Sequence, residues 1–148
     1  MFIQLDQKNE KTAGEIRKIQ REAYQIEADL IGFDGIPQLA ETVAEVQKNE
    51  EIFIGYIEEE LLGFISYKEK NGLIDIHRLA IDPRHFRKGI AKSLLTFLLE
   101  QFSGREVIVS TGTANIPARK LYESFGFQEQ EIIEVAPEIT CTVYRKNS

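Results

Sequence analysis

The chain of 148 residues has a single cysteine, Cys141. No internal disulfide can form, and a reducing, cytoplasmic setting is expected. No apolar run is long enough to cross a bilayer. The start, Met1-Phe2-Ile3-Gln4-Leu5-Asp6, lacks the basic region and apolar core of a secretory signal. Positive charge is also in short supply. With 24 acidic against 18 basic residues the formal net charge is −6, which argues against a nucleic-acid binder, whose binding face is normally basic. There is no Gly-x-x-x-x-Gly-Lys-Ser/Thr loop, and the lone Gly89 does not make Gly-x-Gly-x-x-Gly, so the common nucleotide-binding loops are missing. Repeats, low-complexity segments and linkers are absent as well. What remains is a chain with 43% hydrophobic residues, enough for one domain over residues 1–148 with a core of its own.

Periodicity orders the elements. Phe2 to Leu5 is a short strand. Thr12 and Glu15 have capping-box spacing, followed by Ile16, Ile19 and Ala23 at helical intervals. Ile31 to Gly35 is a loop, and Pro37 opens a second helix through Leu39, Val43 and Val46. Ile52 to Ile57 and Leu61 to Tyr67 form a hairpin around Glu58-Glu59-Glu60. A strand over Leu73 to Ile81 precedes a helix over Ile90 to Phe102. Next come a strand over Glu106 to Ser110 and a helix over Ile116 to Phe125 with Gly126 as its cap. Phe127 to Ile133 and Ile139 to Tyr144 close the chain as a strand pair, which makes Cys141 a strand residue. The order β-α-α-β-β-β-α-β-α-β-β describes a mixed α/β sheet of about seven strands, mostly antiparallel and flanked by helices.

The fourth strand breaks phase. Ile74 and Ile76 fall on even positions, Leu79 and Ile81 on odd ones. A β-bulge near His77-Arg78 would supply the extra residue and free backbone groups around Leu79 to Ile81. A strand buried on both faces would give the same pattern.

Two segments carry the chemistry. In Asp82-Pro83-Arg84-His85-Phe86-Arg87-Lys88-Gly89-Ile90-Ala91-Lys92 a basic loop with one glycine leads into an apolar helix. Free N–H groups at a helix N-terminus, with Arg87, Lys88 and Lys92 nearby, suit a phosphate or diphosphate. An ordinary strand–turn–helix junction with a solvated rim fits the same residues. In the second segment Asn115 and Pro117 start a helix on which Asn115, Ala118 and Tyr122 share one face. Tyr122 has two readings, an acid with a phenolic proton to give and an amphipathic residue at the core edge.

Together these segments resemble the GNAT N-acetyltransferase superfamily. Gly89 and Ala91 fill the last two marked places of its Gln/Arg-x-x-Gly-x-Gly/Ala loop. Phe86 departs from the first, with Arg87 one place later. The pattern Asn-x-x-Ala-x-x-Leu-Tyr-x-x-x-Gly-Phe is met by Asn115, Ala118, Leu121, Tyr122, Gly126 and Phe127. The resemblance implies an acetyl-CoA-dependent transferase acting on a primary amine of a small molecule or peptide, or alternatively a non-catalytic acyl-CoA sensor. It implies that backbone amides over Phe86, Arg87, Lys88, Gly89, Ile90, Ala91 and Lys92 hold the diphosphate. Leu79, Ala80 and Ile81 would carry pantetheine, with Asn115 and Ala118 beside it and Tyr122 near the sulfur. The N–H of Leu79 or Ala80 would stabilise an oxyanion, and Asp75 and His77 are the candidate bases. Acidic Glu27, Asp29, Asp34 and Glu41 are candidates to attract a cationic acceptor. The family often forms homodimers through its late strands, where Ile132, Ile133, Ile139 and Val143 could serve such a contact or could equally face the core. No metal, nucleic acid or membrane is expected.

Overall fold

Short alternating apolar runs, each closed by a turn residue, build the sheet. In the computed structural model, which describes residues 1–147, seven strands lie in the order β1-β2-β3-β4-β5-β7-β6. Their ranges are β1 (Phe2–Gln4), β2 (Ile52–Glu58), β3 (Glu60–Lys70), β4 (Leu73–Ile81), β5 (Val107–Gly112), β6 (Gln128–Ala136) and β7 (Ile139–Lys146). Every neighbouring pair is antiparallel except β4 with β5. The one parallel pair is joined by helix α4 (Ile90–Gln101), as a parallel crossover requires.

The helices depart from the sequence reading in two places. Helix α1 (Glu10–Ile31) begins earlier than the Thr12–Glu15 spacing suggests. Asn9 is its N-cap, accepting from the Thr12 backbone N–H, and Gly32 closes it in the left-handed region at φ +68°. The expected second helix is two pieces, α2 (Pro37–Ala40) and α3 (Val43–Lys48). The break is physical. The Thr42 hydroxyl accepts from the Glu45 N–H while the Glu45 carboxylate accepts from the Thr42 N–H, a complete capping box that restarts the chain at Thr42. Helix α5 (Ile116–Ser124) starts where Asn115 accepts from the Ala118 N–H. A single 3-10 turn, Pro83–His85, sits inside the basic loop.

The β-bulge is present. Ser66 pairs with Arg78 and Tyr67 with Ile76, so His77 is the extra residue in β4. It exchanges the faces of the strand. Ile74, Ile76 and Ile81 belong to the core under α4, with Leu94, Leu95 and Leu98. Ala80 belongs to the opposite core, under α1, with Ala13, Ile16 and Phe64.

The same bulge turns Arg78 into the buried space below α1, 5% exposed. Its guanidinium donates to Gln20 Oε1 at 2.8 Å, to Glu51 Oε1 at 3.0 Å and to both oxygens of Glu41, and it lies over the Phe53 ring. A buried charge with this many partners is stable only while all of them remain.

Candidate active site

Strand pairing opens the site. β4 and β5 pair only over Ile74–Val107, Asp75–Ile108 and Ile76–Val109. Beyond the bulge the two strands run on without pairing each other, to Ile81 and Gly112. The space between them is part of a cleft of about 1260 Å³ that runs beneath α1 and between the starts of α4 and α5. Gly112 lets α1 come close, because a Cβ there would meet Ile31 Cγ2 at 2.8 Å.

At one end lies the start of α4. Its N-cap, Gly89, sits at φ +77° and offers no side-chain cap. Arg87 also has a positive φ, of 66°. The first-turn N–H groups therefore lack a capping acceptor and face a concave stretch of backbone with a positive helix end. Phe86, Arg87, Gly89, Ile90, Ala91 and Lys92 all line the cleft. Lys88 is outside the lining, with its Nζ 3.1 Å from His85 Nδ1.

Leu79 and Ile81 line the middle of the cleft. Ala80 points to the α1 core instead, as alternation on a strand requires. The Leu79 backbone amide lies near the Tyr24 phenol. That phenol has its pKa pushed up by burial and then by the Glu27 carboxylate, against the Leu79 amide, which lowers it.

Tyr122 lines the cleft and is 5% exposed. Its ring packs edge-on against Phe127 at 5.7 Å. Burial, then the negative charge of Glu27, push its pKa up, so the phenol keeps its proton through the physiological range. Asn115, at the start of the same helix, donates to Glu27 Oε1 at 2.8 Å. The Thr111 hydroxyl reaches the same oxygen at 3.2 Å. Cys141 also lines the cleft, and burial followed by Glu27 raises its thiol pKa.

The two candidate bases are placed differently. His77 lines the cleft, with Nδ1 3.3 Å from Glu51 Oε2 and Nε2 3.3 Å from Asp75 Oδ2. Asp75 is not among the lining residues and reaches the cleft only through His77. Of the four acidic residues named for a cationic acceptor, Glu27 alone is in the lining. Asp29 is exposed and accepts from Gln25, Asp34 is exposed, and Glu41 is tied to Arg78. Glu27 is thus the candidate that the fold brings to the cleft, and the sequence alone does not distinguish it from the other three. Its nearest signal was its place on the α1 face that carries Tyr24 and Ile31.

Ile132 and Ile133 are 56% and 44% exposed on the edge strand β6. Val143 is half-buried, and Ile139 lines the cleft. No helix among the described residues is long and apolar enough to cross a membrane.

The profile of the Acetyltransferase (GNAT) family matches residues 14–127. The UPF0157 protein YqkA of Bacillus subtilis is 39% identical over 142 residues, which are 95% of this chain and 41% of that protein. The spermine/spermidine N(1)-acetyltransferase of Bacillus subtilis is 34% identical over 85 residues, 49% of this chain and 56% of that one. The chain thus spans about two fifths to just over half of these relatives. The PaiA N-acetyltransferase of Thermoplasma acidophilum, solved in complex with coenzyme A, superposes with a TM-score of 0.79. It is 15% identical and is covered over 99% of its length by all of this chain, a likeness of fold.

Proposed function

Because the chain belongs to the acetyltransferase (GNAT) family, we propose that it is an acetyl-CoA-dependent N-acetyltransferase acting on a primary amine. Transfer takes place by direct attack within a ternary complex. One observation carries this reading. A single cleft joins the uncapped start of α4 at Gly89 to the phenol of Tyr122, along the stretch of β4 that β5 leaves unpaired. The relative named for spermine and spermidine favours an amine as acceptor.

The residues present fit coenzyme A. The amides from Gly89 to Lys92 have no side-chain cap to compete with a diphosphate, and Arg87 and Lys92 add positive charge. A Cβ at Gly89 would meet nothing within 4 Å, so the backbone there is open to a ligand. Leu79 and Ile81 offer backbone to an extended pantetheine arm, and Asn115 and Ala118 form the facing wall.

Acetyl-CoA supplies the acetyl thioester: as its carbonyl carbon bonds the amine nitrogen, the C–S bond breaks, the nitrogen gives up a proton and the sulfur gains one. Tyr122 delivers the proton to sulfur from its hydroxyl. A phenol with a raised pKa is a weak acid, but the same burial acts on a thiolate. The two ring nitrogens of His77 face Glu51 and Asp75; once the ring turns one of them to the cleft it takes the proton from nitrogen, and the carboxylates stabilise the imidazolium that results. The Leu79 amide supports the developing oxyanion. Holding amine and thioester together in one cleft provides much of the remaining acceleration.

Two measurements test this. Acetyl-CoA at 100 times its dissociation constant stabilises the protein by about 2.7 kcal/mol through mass action, which appears as a raised Tm. An amine-library screen then reads free thiol release. Absence of any Tm shift and any binding heat overturns the reading. Binding without thiol release from any amine or peptide leaves a non-catalytic acyl-CoA module instead.

A further inference from the structure

The acceptor half of the cleft has an unusual balance of charge and apolar surface. Glu27 supplies its only carboxylate among the described residues. Around it the walls are Ile26, Leu30, Ile31, Phe33, Ile36 and Ile139. Ile26 is 38% exposed and Leu30 50%, as is Val135 on the opposite rim. These are large side chains left in water at the mouth of a concavity, which is where apolar ligand surface is recognised.

Glu27 itself is held in place. Asn115 and Thr111 both donate to its Oε1. It is close enough to Tyr122, Tyr24 and Cys141 to raise the pKa of all three. A negative charge fixed beside the proposed proton donor is positioned to receive one ammonium group. The other charged side chains of the lining, Arg78, Arg87, Lys92 and Lys120, are cationic. A second ammonium on the same ligand would find no second carboxylate in the lining among the described residues.

We infer that the acceptor is a monocationic alkyl- or arylalkyl-amine. Its ammonium is held by Glu27, and its apolar body packs on Ile26, Leu30 and the loop at Phe33 and Ile36. Polyamines and small hydroxylated amines are poor acceptors. The first lack partners for their further charges. The second set their hydroxyl groups against the hydrocarbon of Ile26, Leu30, Phe33 and Ile36. This inference rests on the acetyl-transfer reading and narrows its substrate class.

The test compares 2-phenylethylamine and hexylamine with spermidine and ethanolamine, by thiol release at saturating acetyl-CoA. Alongside it, each amine is titrated calorimetrically into the protein saturated with CoA. The expected kcat/KM for phenylethylamine exceeds those for spermidine and ethanolamine by at least about 10-fold, the scale of one or two buried methylene contacts. Binding constants should follow the same order. Glu27→Gln should raise the KM for phenylethylamine by about 10-fold or more. Leu30→Glu, at an exposed position that leaves folding intact, adds a second carboxylate at the rim and should move the preference toward spermidine. Preference for spermidine or ethanolamine, in turnover or in binding, overturns the inference while leaving acetyl transfer intact. If no amine is turned over, acetyl transfer fails and the binding order alone decides. If Glu27→Gln does not fold, Leu30→Glu decides, and an unchanged preference overturns the inference.

Discussion

Asn115 donates from Nδ2 to Glu27 Oε1 at 2.8 Å, across 88 positions of sequence, while its own Oδ1 accepts from the Ala118 N–H. One amide therefore starts α5 and fixes the carboxylate of α1. The two tasks separate by substitution. Asn115→Asp keeps an acceptor for the helix cap but sets two carboxylates together. Asn115→Ala loses both and costs about 1 kcal/mol for the cap alone. Thermal melts should show Asn115→Ala less stable than wild type. Thiol-release rates should fall in both variants, and in Asn115→Asp more than its melting temperature accounts for.

Tyr122→Phe removes the hydroxyl and keeps the ring contact with Phe127. Turnover should fall by about 100-fold or more, the ordinary contribution of a positioned acid. The acetyl-CoA dissociation constant, read by calorimetry, should stay within about 2-fold because the phenol lies beyond the diphosphate grip. Unchanged turnover would remove Tyr122 from the chemistry.

Gly89→Ala probes the loop. The position has φ +77° and open space around a Cβ, so the protein without ligand feels only conformational strain, about 1 kcal/mol. The effect on acetyl-CoA should be larger, because a methyl group would stand between backbone and ligand. A lower starting Tm and a smaller acetyl-CoA-induced rise, in the same scanning experiment, are the expected pair of results.

The bulge in β4 was legible, and the reason is simple. The switch from Ile74 and Ile76 to Leu79 and Ile81 leaves a trace at period two, and pairing places the extra residue at His77. The start of α5 was legible from Asn115 and Pro117, which act locally. The break between α2 and α3 was also written in the chain, as Thr42 and Glu45 in capping-box spacing, but the apolar rhythm of Leu39, Val43 and Val46 spans it and hides it. Glu27 is another matter. Nothing near it in sequence marks it out from Asp29. Its role comes from Thr111 and Asn115, which only the folded sheet brings to it. Long-range partners also distinguish Glu41, which reads as a surface acid and is bound to Arg78.

Arg78→Met leaves Glu41 and Glu51 without their shared cation. Removing one member of a buried charged group costs about 3–5 kcal/mol, a fall in Tm of roughly 10 °C at 2–4 °C per kcal/mol. Urea unfolding should show the same loss without a change in slope.

Acid should weaken the fold through the same network. Burial pushes the Glu51 carboxyl up, but the Ser66 hydroxyl, Arg78 and Asn49 outweigh it and hold the pKa below the usual range. The Arg84 side chain does the same for Asp82. Carboxylates depressed on folding contribute their full stability above their unfolded pKa values, about 4. That contribution disappears as pH falls through the lower folded values. Chemical denaturation between pH 3 and pH 7 should show a flat region above about pH 5 and a decline below about pH 4, steeper in wild type than in Glu51→Gln.

The most direct measurement is a crystal structure of the protein with coenzyme A. The expected result is the diphosphate on the backbone amides between Gly89 and Lys92, with the pantetheine arm along Leu79 and Ile81 and the sulfur beside the Tyr122 hydroxyl. Coenzyme A bound outside this cleft, or a Tyr122 phenol turned away from the sulfur, would contradict it.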